Sequence, residues 1–429
     1  MKLFERLFKH ITLAFLLCFF APSTASSPNN EPTLQADSIE ISLLTCGPRQ
    51  QVYSLYGHTA IRFQDKQSGR DIAINYGVFS FDKPFFVLRF VFGLTDYEMG
   101  IAPFDIFEWE YGPTGCGVRQ QVLNLTAQEK MAIAQAVDRN MEPQNRVYRY
   151  NFFYDNCTTR ARDIIANNLN GRIVYDTSTP QHLNTSTPQH HNTPAQYPTF
   201  RNLIHNYNET HRWARFGNDL LLGVKADYNT TFEQQQFLPE RLCADFERAH
   251  IISADGTKRN LVSSSFWLFE PTTKQQSIQQ TNMSILDVFS PLVTFSILSI
   301  LTLIIAIVEY RRKRIIWVFD TIIMLTTGTC GLLLFAMIFS QHPTVSLNLQ
   351  ILLLNPINIF MLYSVTKAAR QNRIHWWTKA WSALILLLLA GSFLQSYAEG
   401  ITIVALSLLL RNISNIYTFK NTGSKQPKA

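Results

Sequence analysis

The sequence predicts an exported α+β domain followed by an all-α transmembrane domain of about five helices. Two observations predict this architecture. Strand-like and helix-like segments are mixed up to residue 286, which is typical of an α+β domain. From residue 287 the chain turns apolar, in stretches that can cross a hydrocarbon layer of about 30 Å with about 20 residues each.

Residues 1–25 are typical of a cleaved signal peptide. They combine a basic start, an apolar run over 11–21 and small residues at Ser23 and Ala25. We therefore expect residues 26–286 to be exported.

The exported domain is predicted to begin with strands and to end in a mixture of strands and helices. The strand-like segments are Ile39–Cys46, Ala60–Gln64, Ile72–Phe79 and Arg146–Tyr154. A capping box at Thr126–Glu129 predicts a helix between the last two of them. Another helix is predicted to begin at Cys157, because apolar residues recur at helical spacing behind it.

Two polar stretches of this domain lack the pattern of a core. Residues 176–195 form a low-complexity insert, which contains a near duplication of Asp176–His182. Its histidines are interpreted as part of a solvated loop, so no metal site and no cofactor are predicted. Residues 253–285 are interpreted as a connector to the membrane. The pairing of Cys46, Cys116 and Cys243 stays open.

Five spans are predicted within the transmembrane domain, residues 287–418: 288–310, 315–339, 346–366, 378–397 and 399–418. Basic residues cluster in alternate loops and in the tail, residues 419–429. The positive-inside rule places these segments in the cytoplasm and residues 26–286 outside it. Arg411 interrupts the last span, and we expect its guanidinium to snorkel to the interface.

The net charge of +7 follows this division. Residues 26–286 hold 23 Lys and Arg against 26 Asp and Glu, whereas residues 287–429 hold 12 against 4. The positive charge therefore belongs to membrane topology, and no nucleic-acid partner is predicted.

Cys157 and His58 are the candidate nucleophile and base. A helix N-terminus, a nearby arginine and an imidazolium all favour the thiolate, which is the reactive form of cysteine. Asn156 is a good N-cap for the helix that Cys157 begins, and Arg160 lies one turn further on. His58 lies at the entrance of the second predicted strand.

The aromatic segment Phe85–Leu94 allows two interpretations. It is either buried core, as long apolar runs usually are, or a lipid-facing lip that holds acyl chains or dips into the bilayer.

The order of a histidine strand before a cysteine helix resembles a permuted branch of the NlpC-type, papain-like cysteine enzymes. More closely, five segments resemble the Lnb-type lipoprotein N-acyltransferases: Ser42–Pro48, Leu55–Ala60, Ile74–Gly77, Tyr154–Thr159 and Phe237–Glu240. The resemblance implies a permuted NlpC/papain-like domain in the periplasm, joined to a helical domain in the bacterial cytoplasmic (inner) membrane. It also implies transfer of an acyl chain from a membrane lipid, the donor, to the N-terminal amine of diacylglyceryl lipoproteins, the acceptor.

The resemblance further implies roles for individual residues. Cys157 would carry the acyl group as a thioester, and His58 would act as acid and base. Asn75 is expected to orient His58, with Tyr76 and Asp71 as competitors. Candidates for the oxyanion hole or for substrate binding are the backbone N–H of Cys157 and the side chains of Tyr56, Asn156 and Arg160.

Polar residues at the outer end of the transmembrane domain also allow two interpretations. His342 and Asn348 either seat a lipid head group beneath the exported domain or serve in capping and helix packing.

Two other functions compete with acyl transfer. The same cysteine and histidine would serve a membrane-tethered peptidase or amidase that acts on cell-wall peptide. A non-catalytic module that binds lipids or lipoproteins would need no thiol at all.

Overall fold

The computed structural model describes residues 36–49, 51, 54–79, 84–177, 197–272 and 289–419, and every structural statement below concerns these residues. The predicted signal peptide at 1–25 lies outside them. So do positions 178–195 of the predicted insert, 273–285 of the predicted connector and 420–429 of the predicted tail.

The exported domain is built on a seven-stranded antiparallel sheet. Its strands, in chain order, are β1 (Ile39–Cys46), β2 (His58–Asp65), β3 (Arg70–Val78), β4 (Asp96–Pro103), β5 (Val118–Leu123), β6 (Val147–Arg149) and, last in the chain, β10 (Val262–Phe269). They lie side by side in the order β10-β5-β1-β2-β3-β4-β6. A second sheet contains β7 (Gly171–Val174), β8 (His250–Ser253) and β9 (Lys258–Asn260).

Seven helices accompany these strands: α1 (Phe86–Val91), α2 (Phe104–Tyr111), α3 (Ala127–Met141), α4 (Cys157–Ala166), α5 (Phe200–His205), α6 (Arg212–Leu221) and α7 (Pro239–Arg248). Side chains alternate between the faces of the large sheet, as strand geometry requires. Leu43 and Ile61 pack on one face against α3, α4 and α7. Leu44 and Ala60 pack on the other face against Phe104 of α2.

The part interpreted as a polar connector is in fact partly strand, and this interpretation is corrected. Val262–Phe269 pairs with β5 and completes the edge of the large sheet. This segment contains three consecutive serines, at 263–265. An edge strand can carry such residues because it buries little, and Ser263 and Ser264 lie on strand β10 with exposed side chains.

Five helices follow at 291–419: α8 (Pro291–Arg312), α9 (Trp317–Met337), α10 (Ile357–Arg370), α11 (Trp376–Gly391) and α12 (Ile401–Phe419). Four segments are long and apolar enough to cross a membrane, namely α8, α9, Leu349–Arg370 and α12. Helix α11 is apolar but has only 16 residues. The predicted order of a mixed α/β domain and a helical membrane domain is confirmed.

The exported domain rests on these helices through the end of α6. The N–H of Gly223 donates to the carbonyl of Thr344, in the loop after α9, at 2.8 Å. A Cβ at Gly223 would collide with the carbonyl of Leu347, so only glycine permits this approach. The ring of Phe216 lies 5.1 Å from that of Phe295 in α8. The two domains therefore pack directly on each other.

Arg411 does not snorkel, and this expectation is wrong. Its side chain is 2% exposed. The guanidinium donates to both carboxylate oxygens of Glu309 in α8, at 2.7 and 2.9 Å, and to Asp320 in α9 at 2.6 Å. Acidic residues of two neighbouring helices thus supply the partners that water would otherwise provide, and three helices are joined at one point.

Arg411→Met is expected to lower the free energy of unfolding by about 3–5 kcal/mol, because it leaves two carboxylates buried without their cation. Thermal unfolding of the purified protein in detergent measures the loss. Arg373→Met, at an exposed loop position, is the matched control. Equal melting temperatures for the two variants would show that Glu309 and Asp320 do not need the charge.

Candidate functional site

Cys157 occupies the first turn of α4, where the chain builds a complete N-terminal cap. The side-chain oxygen of Asn156 accepts from the N–H groups of Thr158 and Thr159, both at 2.9 Å, and Thr159 Oγ1 accepts from the N–H of Asn156. The cap does not accept a hydrogen bond from the N–H of Cys157. The thiol and this N–H therefore lie together at the positive end of the helix dipole.

His58 is the first residue of β2, and the turn at Gly57 sets the direction of its side chain. Gly57 has φ +76°, and a Cβ there would lie 2.6 Å from the carbonyl oxygen of Cys46. A side chain would therefore be strained and would also clash. The turn brings His58 opposite Cys46 of β1 and presents its ring at the end of the sheet.

The thiol of Cys157 and the ring of His58 meet although 99 positions separate them in the chain. They form a side-chain hydrogen bond. Beside this pair, Thr59 Oγ1 and Thr158 Oγ1 lie 3.1 Å apart and join β2 to α4. Both threonines are fully buried, so the contact fixes the register of the helix against the strand.

The site favours the ionised thiol. Burial by itself raises the pKa of the Cys157 thiol, but the His58 imidazolium, its hydrogen bond and bonds from the Thr59 N–H and the Thr158 hydroxyl outweigh burial. The pKa therefore falls to about 7. Burial alone would lower the pKa of His58, yet the facing thiolate and the bonds to Cys157 and Asn75 raise it. Each group stabilises the charge of the other.

The side chain of Asn75 contacts the nitrogen of the His58 imidazole that does not face the thiol. Its Oδ1 lies 3.0 Å from His58 Nε2 and also accepts from the N–H of Gly77 at 2.6 Å. The strand register explains the meeting, because Asn75 pairs with Ala60 and alternate residues of a strand share a face. With Nε2 bound to an acceptor, Nδ1 is the nitrogen left for the thiol.

Asp71 and Tyr76, the other candidates for orienting His58, do not lie at the imidazole. Asp71 forms a bidentate ion pair with Arg62, at 2.6 and 2.9 Å. Tyr76 is buried in the core, and its hydroxyl accepts from Asn140 at 3.0 Å. Neither side chain reaches the imidazole.

Asn75→Ala is expected to lower turnover about 10-fold to 100-fold with little change in KM, because the imidazole loses the acceptor that fixes its tautomer and orientation. Asn75→Asp, which keeps the acceptor, should recover most of the activity. If Asn75 had only a structural role, the loss would not be confined to kcat, and Asn75→Asp would not restore the activity. The measurement is steady-state turnover in detergent.

The cysteine and histidine open into a cavity of about 200 Å³. Much of its wall is aromatic: Tyr56, Phe79, Tyr97, Tyr150, Phe152 and Phe237. Its charged lining residues are Arg49 and Glu110, whose side chains lie 3.7 Å apart. The guanidinium of Arg49 also stacks 4.0 Å above the ring of Tyr111. Such a cavity suits an apolar chain that ends in a polar group.

The three candidates for the oxyanion hole or for substrate binding differ in position. Tyr56 lines the cavity, and its hydroxyl accepts from Asn218 at 2.9 Å. The prediction that Asn156 serves the oxyanion hole or substrate binding is corrected, because its amide group already donates to the carbonyls of Phe152 and Phe237, each at 2.9 Å. Its role is to cap the helix and to anchor the loop before it.

The same prediction for Arg160 is also corrected. Its guanidinium pairs with Asp155 at 2.6 and 2.7 Å and stacks 4.0 Å above the ring of Tyr148, outside the cavity lining. Residue 160 lies one turn after Cys157, but the bonds to Asp155 and the stacking on Tyr148 hold its guanidinium away from the cavity. Arg160 therefore stabilises the loop that leads into α4.

Sequence reasoning missed Thr158, Thr59 and the charged pair of Arg49 and Glu110. Thr158 and Thr59 directly follow Cys157 and His58, so their positions were a signal that could have been used. For Arg49 and Glu110 the sequence holds no comparable signal, because their neighbourhood depends on how α2 packs beside the loop after β1.

His342 and Asn348 serve the contact between the domains, so their interpretation as lipid ligands is corrected. His342 Nε2 lies 3.2 Å from the carbonyl oxygen of Phe90. Asn348 is buried and donates to the carbonyl of Leu220 at 2.8 Å, while its oxygen accepts from Gln395 at 2.9 Å. The polar groups of Asn348 thus have protein partners and leave none for a head group.

Within the described ranges, no group of three or more His, Cys, Asp or Glu residues is placed to hold a metal ion. Cys46, Cys116 and Cys243 are buried free thiols there.

A mixed α/β domain with a cysteine-centred cavity, packed on apolar helices, defines a class of membrane protein whose site lies in its exported domain. Family models agree with this class. Residues 27–202 match the Lnb N-terminal periplasmic domain, and residues 280–422 match the Lnb transmembrane domain. The chain belongs to the Lnb family, and the resemblance seen in its motifs is confirmed. No curated protein and no solved structure matches the chain.

Family membership supports a membrane-associated protein that modifies lipoproteins, with one domain in the periplasm and one in the membrane.

Proposed function

We propose that this protein is a thiol-dependent lipoprotein N-acyltransferase of the bacterial inner membrane. It takes an acyl chain from a membrane lipid ester and passes it, through a thioester on Cys157, to the N-terminal amine of a diacylglyceryl lipoprotein. The observation that carries the proposal is the contact of the Cys157 thiol with His58, itself held by Asn75, in a largely aromatic cavity. This arrangement resembles that of papain-like thiol enzymes.

In the first half-reaction His58 takes the thiol proton, and the Cys157 thiolate attacks the carbonyl carbon of the lipid ester. The C–O bond to the glycerol oxygen breaks, and His58 returns the proton to that oxygen. The products are a lysolipid and an acyl thioester on Cys157. Asn75 keeps the imidazole aimed at the thiol throughout.

In the second half-reaction the neutral α-amine of the lipoprotein attacks the thioester carbonyl. His58 takes a proton from the amine nitrogen as the C–N bond forms. The C–S bond then breaks, and His58 returns the proton to the sulfur. The amide product leaves and the thiol is restored, so each proton that His58 accepts is given back within the cycle.

The negative charge that develops on the carbonyl oxygen needs donors. The N–H of Cys157 stands at the start of α4, where the helix dipole favours an anion. The hydroxyl of Tyr56 is a second donor in the cavity, because the Asn218 amide donates to its oxygen and leaves the hydroxyl proton for substrate.

Two contacts favour a membrane substrate over cell-wall peptide. Tyr56 of the cavity is bonded to Asn218 of α6. The next residues of the same helix end are bonded to the membrane domain, since Gln350 donates to the carbonyl of Asp219 at 2.9 Å. The cavity thus lies one helix away from the membrane helices, close to lipid esters and to the anchored amino terminus of a lipoprotein.

The test is mass spectrometry of a reporter lipoprotein in cells that lack their own N-acyltransferase, with and without this protein. Addition of one acyl chain at the amino terminus, together with an acyl thioester trapped on Cys157, is the expected result. Released cell-wall fragments with an unchanged reporter would instead support the peptidase or amidase. Reporter binding without either product would support a non-catalytic module.

A further inference from the structure

The segment Phe85–Leu94, here called the lip, carries large apolar side chains that are exposed. Phe85 is 77% exposed and Leu88 is 52% exposed, and Phe90 and Leu94 are also exposed. Four such residues within ten positions form a patch, whereas single exposed apolar residues are ordinary.

Phe85 also has a backbone conformation that a bulky residue rarely adopts. Its φ is +58° at the start of α1, in the left-handed region. Such a conformation is unfavourable in a residue with a large side chain. The strained backbone and the exposed ring together indicate that Phe85 contacts something outside the protein.

The lip is held at the outer end of the membrane domain. The N–H of Gln341 donates to the carbonyl of Phe92 at 2.9 Å, and His342 Nε2 bonds to the carbonyl of Phe90. Gly93 lies against the backbone of the same loop, which follows α9 directly. The lip is therefore at the height where α9 leaves the membrane.

The exposed apolar surface of α9 continues toward this point. Phe335, Ile338 and Phe339 are all exposed at its outer end, and the rings of the two phenylalanines lie 5.6 Å apart. In a membrane-spanning helix such residues face lipid. The lip adds to a surface that acyl chains already cover.

On its inner side the lip touches the catalytic cavity. The ring of Phe90 is stacked 6.4 Å from that of Tyr150, and Tyr150 is stacked 4.1 Å from Tyr97. Tyr150 and Tyr97 both line the cavity that holds Cys157. A row of rings thus runs from the lip to the thiol.

We infer that the lip inserts into the outer leaflet and passes an acyl chain of the donor lipid along Phe90, Tyr150 and Tyr97 to Cys157. This inference rests on the proposed function. It names the source of the donor, a lipid of the surrounding bilayer rather than one delivered by another protein, and it gives the interfacial helix α1 a role in substrate entry.

Insertion is tested by fluorescence in nanodiscs. Leu88→Cys, in a Cys157→Ala background, is labelled with an environment-sensitive dye and exposed to lipids with brominated acyl chains. Quenching at least about twice that of a label at Phe266→Cys is expected, because Phe266 lies on β10 at the opposite edge of the large sheet. The Cys157→Ala protein without a new cysteine corrects for labelling at Cys330. Absence of this excess would overturn the inference and point to a protein partner.

Delivery is tested with two donors and the variants Phe85→Asn and Leu88→Asn. Asparagine adopts a positive φ more readily than phenylalanine, so Phe85→Asn should melt no lower than the wild type. Acylation of Cys157 by vesicle phospholipid should fall at least 10-fold more than acylation by a water-soluble butyryl ester. Phe266→Asn should leave the ratio of the two rates unchanged.

Equal falls with both donors, or no fall with either, would overturn delivery by the lip. A wild-type protein that accepts an acyl group from neither donor would instead contradict the proposed function, and the quenching experiment would still decide insertion.

Discussion

Cys157→Ala is expected to lower N-acylation of the reporter lipoprotein at least about 10³-fold, to the background of cells without the protein. The reason is that no thioester can form and no neighbouring group can replace the sulfur. The thiol sits beside a hydrogen-bonded base and at a capped helix start, so its loss removes the attacking atom while the cap of Asn156 stays in place. Mass spectrometry of the reporter measures the fall.

The matched control is Cys330→Ala, a thiol on α9 remote from the cavity lining. It should retain wild-type transfer. Both variants should reach the membrane in equal amounts, which quantitative immunoblotting of membrane fractions checks. Full N-acylation by Cys157→Ala would contradict the covalent mechanism and leave a module that only presents lipoproteins.

His58→Ala is expected to lower transfer about 10²-fold to 10⁴-fold and to shift the ionisation of Cys157. In the wild type the imidazolium brings the pKa of the thiol down to about 7. Without that cation, burial dominates and raises the pKa above the usual value of about 8.5. The thiolate should then form only at higher pH, so alkylation by iodoacetamide near pH 8 slows about 10-fold.

The pH profile of alkylation from pH 5 to pH 10, followed by mass spectrometry of the Cys157 peptide, is the measurement. The two rates should converge at the alkaline end, where both proteins hold the thiolate, and this convergence is the internal control against unfolding. Superimposed profiles would mean that His58 does not stabilise the thiolate and would remove it from the mechanism.

Local signals explain why the sequence led to the thiol and its base. The cap at Asn156 and the apolar spacing behind Cys157 act within one helix, and the pattern of β2 acts within one strand. Whether Asn75 or Asp71 meets His58 depends on register instead, because Asn75 lies opposite Ala60 and Asp71 lies opposite Gln64, further along β2. A shift by one residue between β2 and β3 would have turned Asn75 to the other face of the sheet.

The failed predictions depend on contacts between distant segments. Asn156 was misinterpreted because its amide donates to Phe237, 81 positions away. Asn348 was misinterpreted because its partners lie on α6 of the other domain. Polar residues at such places look the same in a sequence whether a ligand or the protein's own backbone satisfies them.

The amide side chains that join the end of α6 to the membrane helices have a geometric consequence for substrate choice. Asn348 and Gln395 donate to backbone carbonyls at the end of α6, so main-chain atoms rather than flexible side chains of the exported domain are held to the membrane helices. One extended residue spans about 3.3–3.6 Å. In the transfer that we propose, an amine set back from its lipid anchor by two extended residues would lie about 7 Å from the place of the amino-terminal amine. Such a molecular ruler would single out the amino-terminal residue of a lipoprotein without reading any sequence.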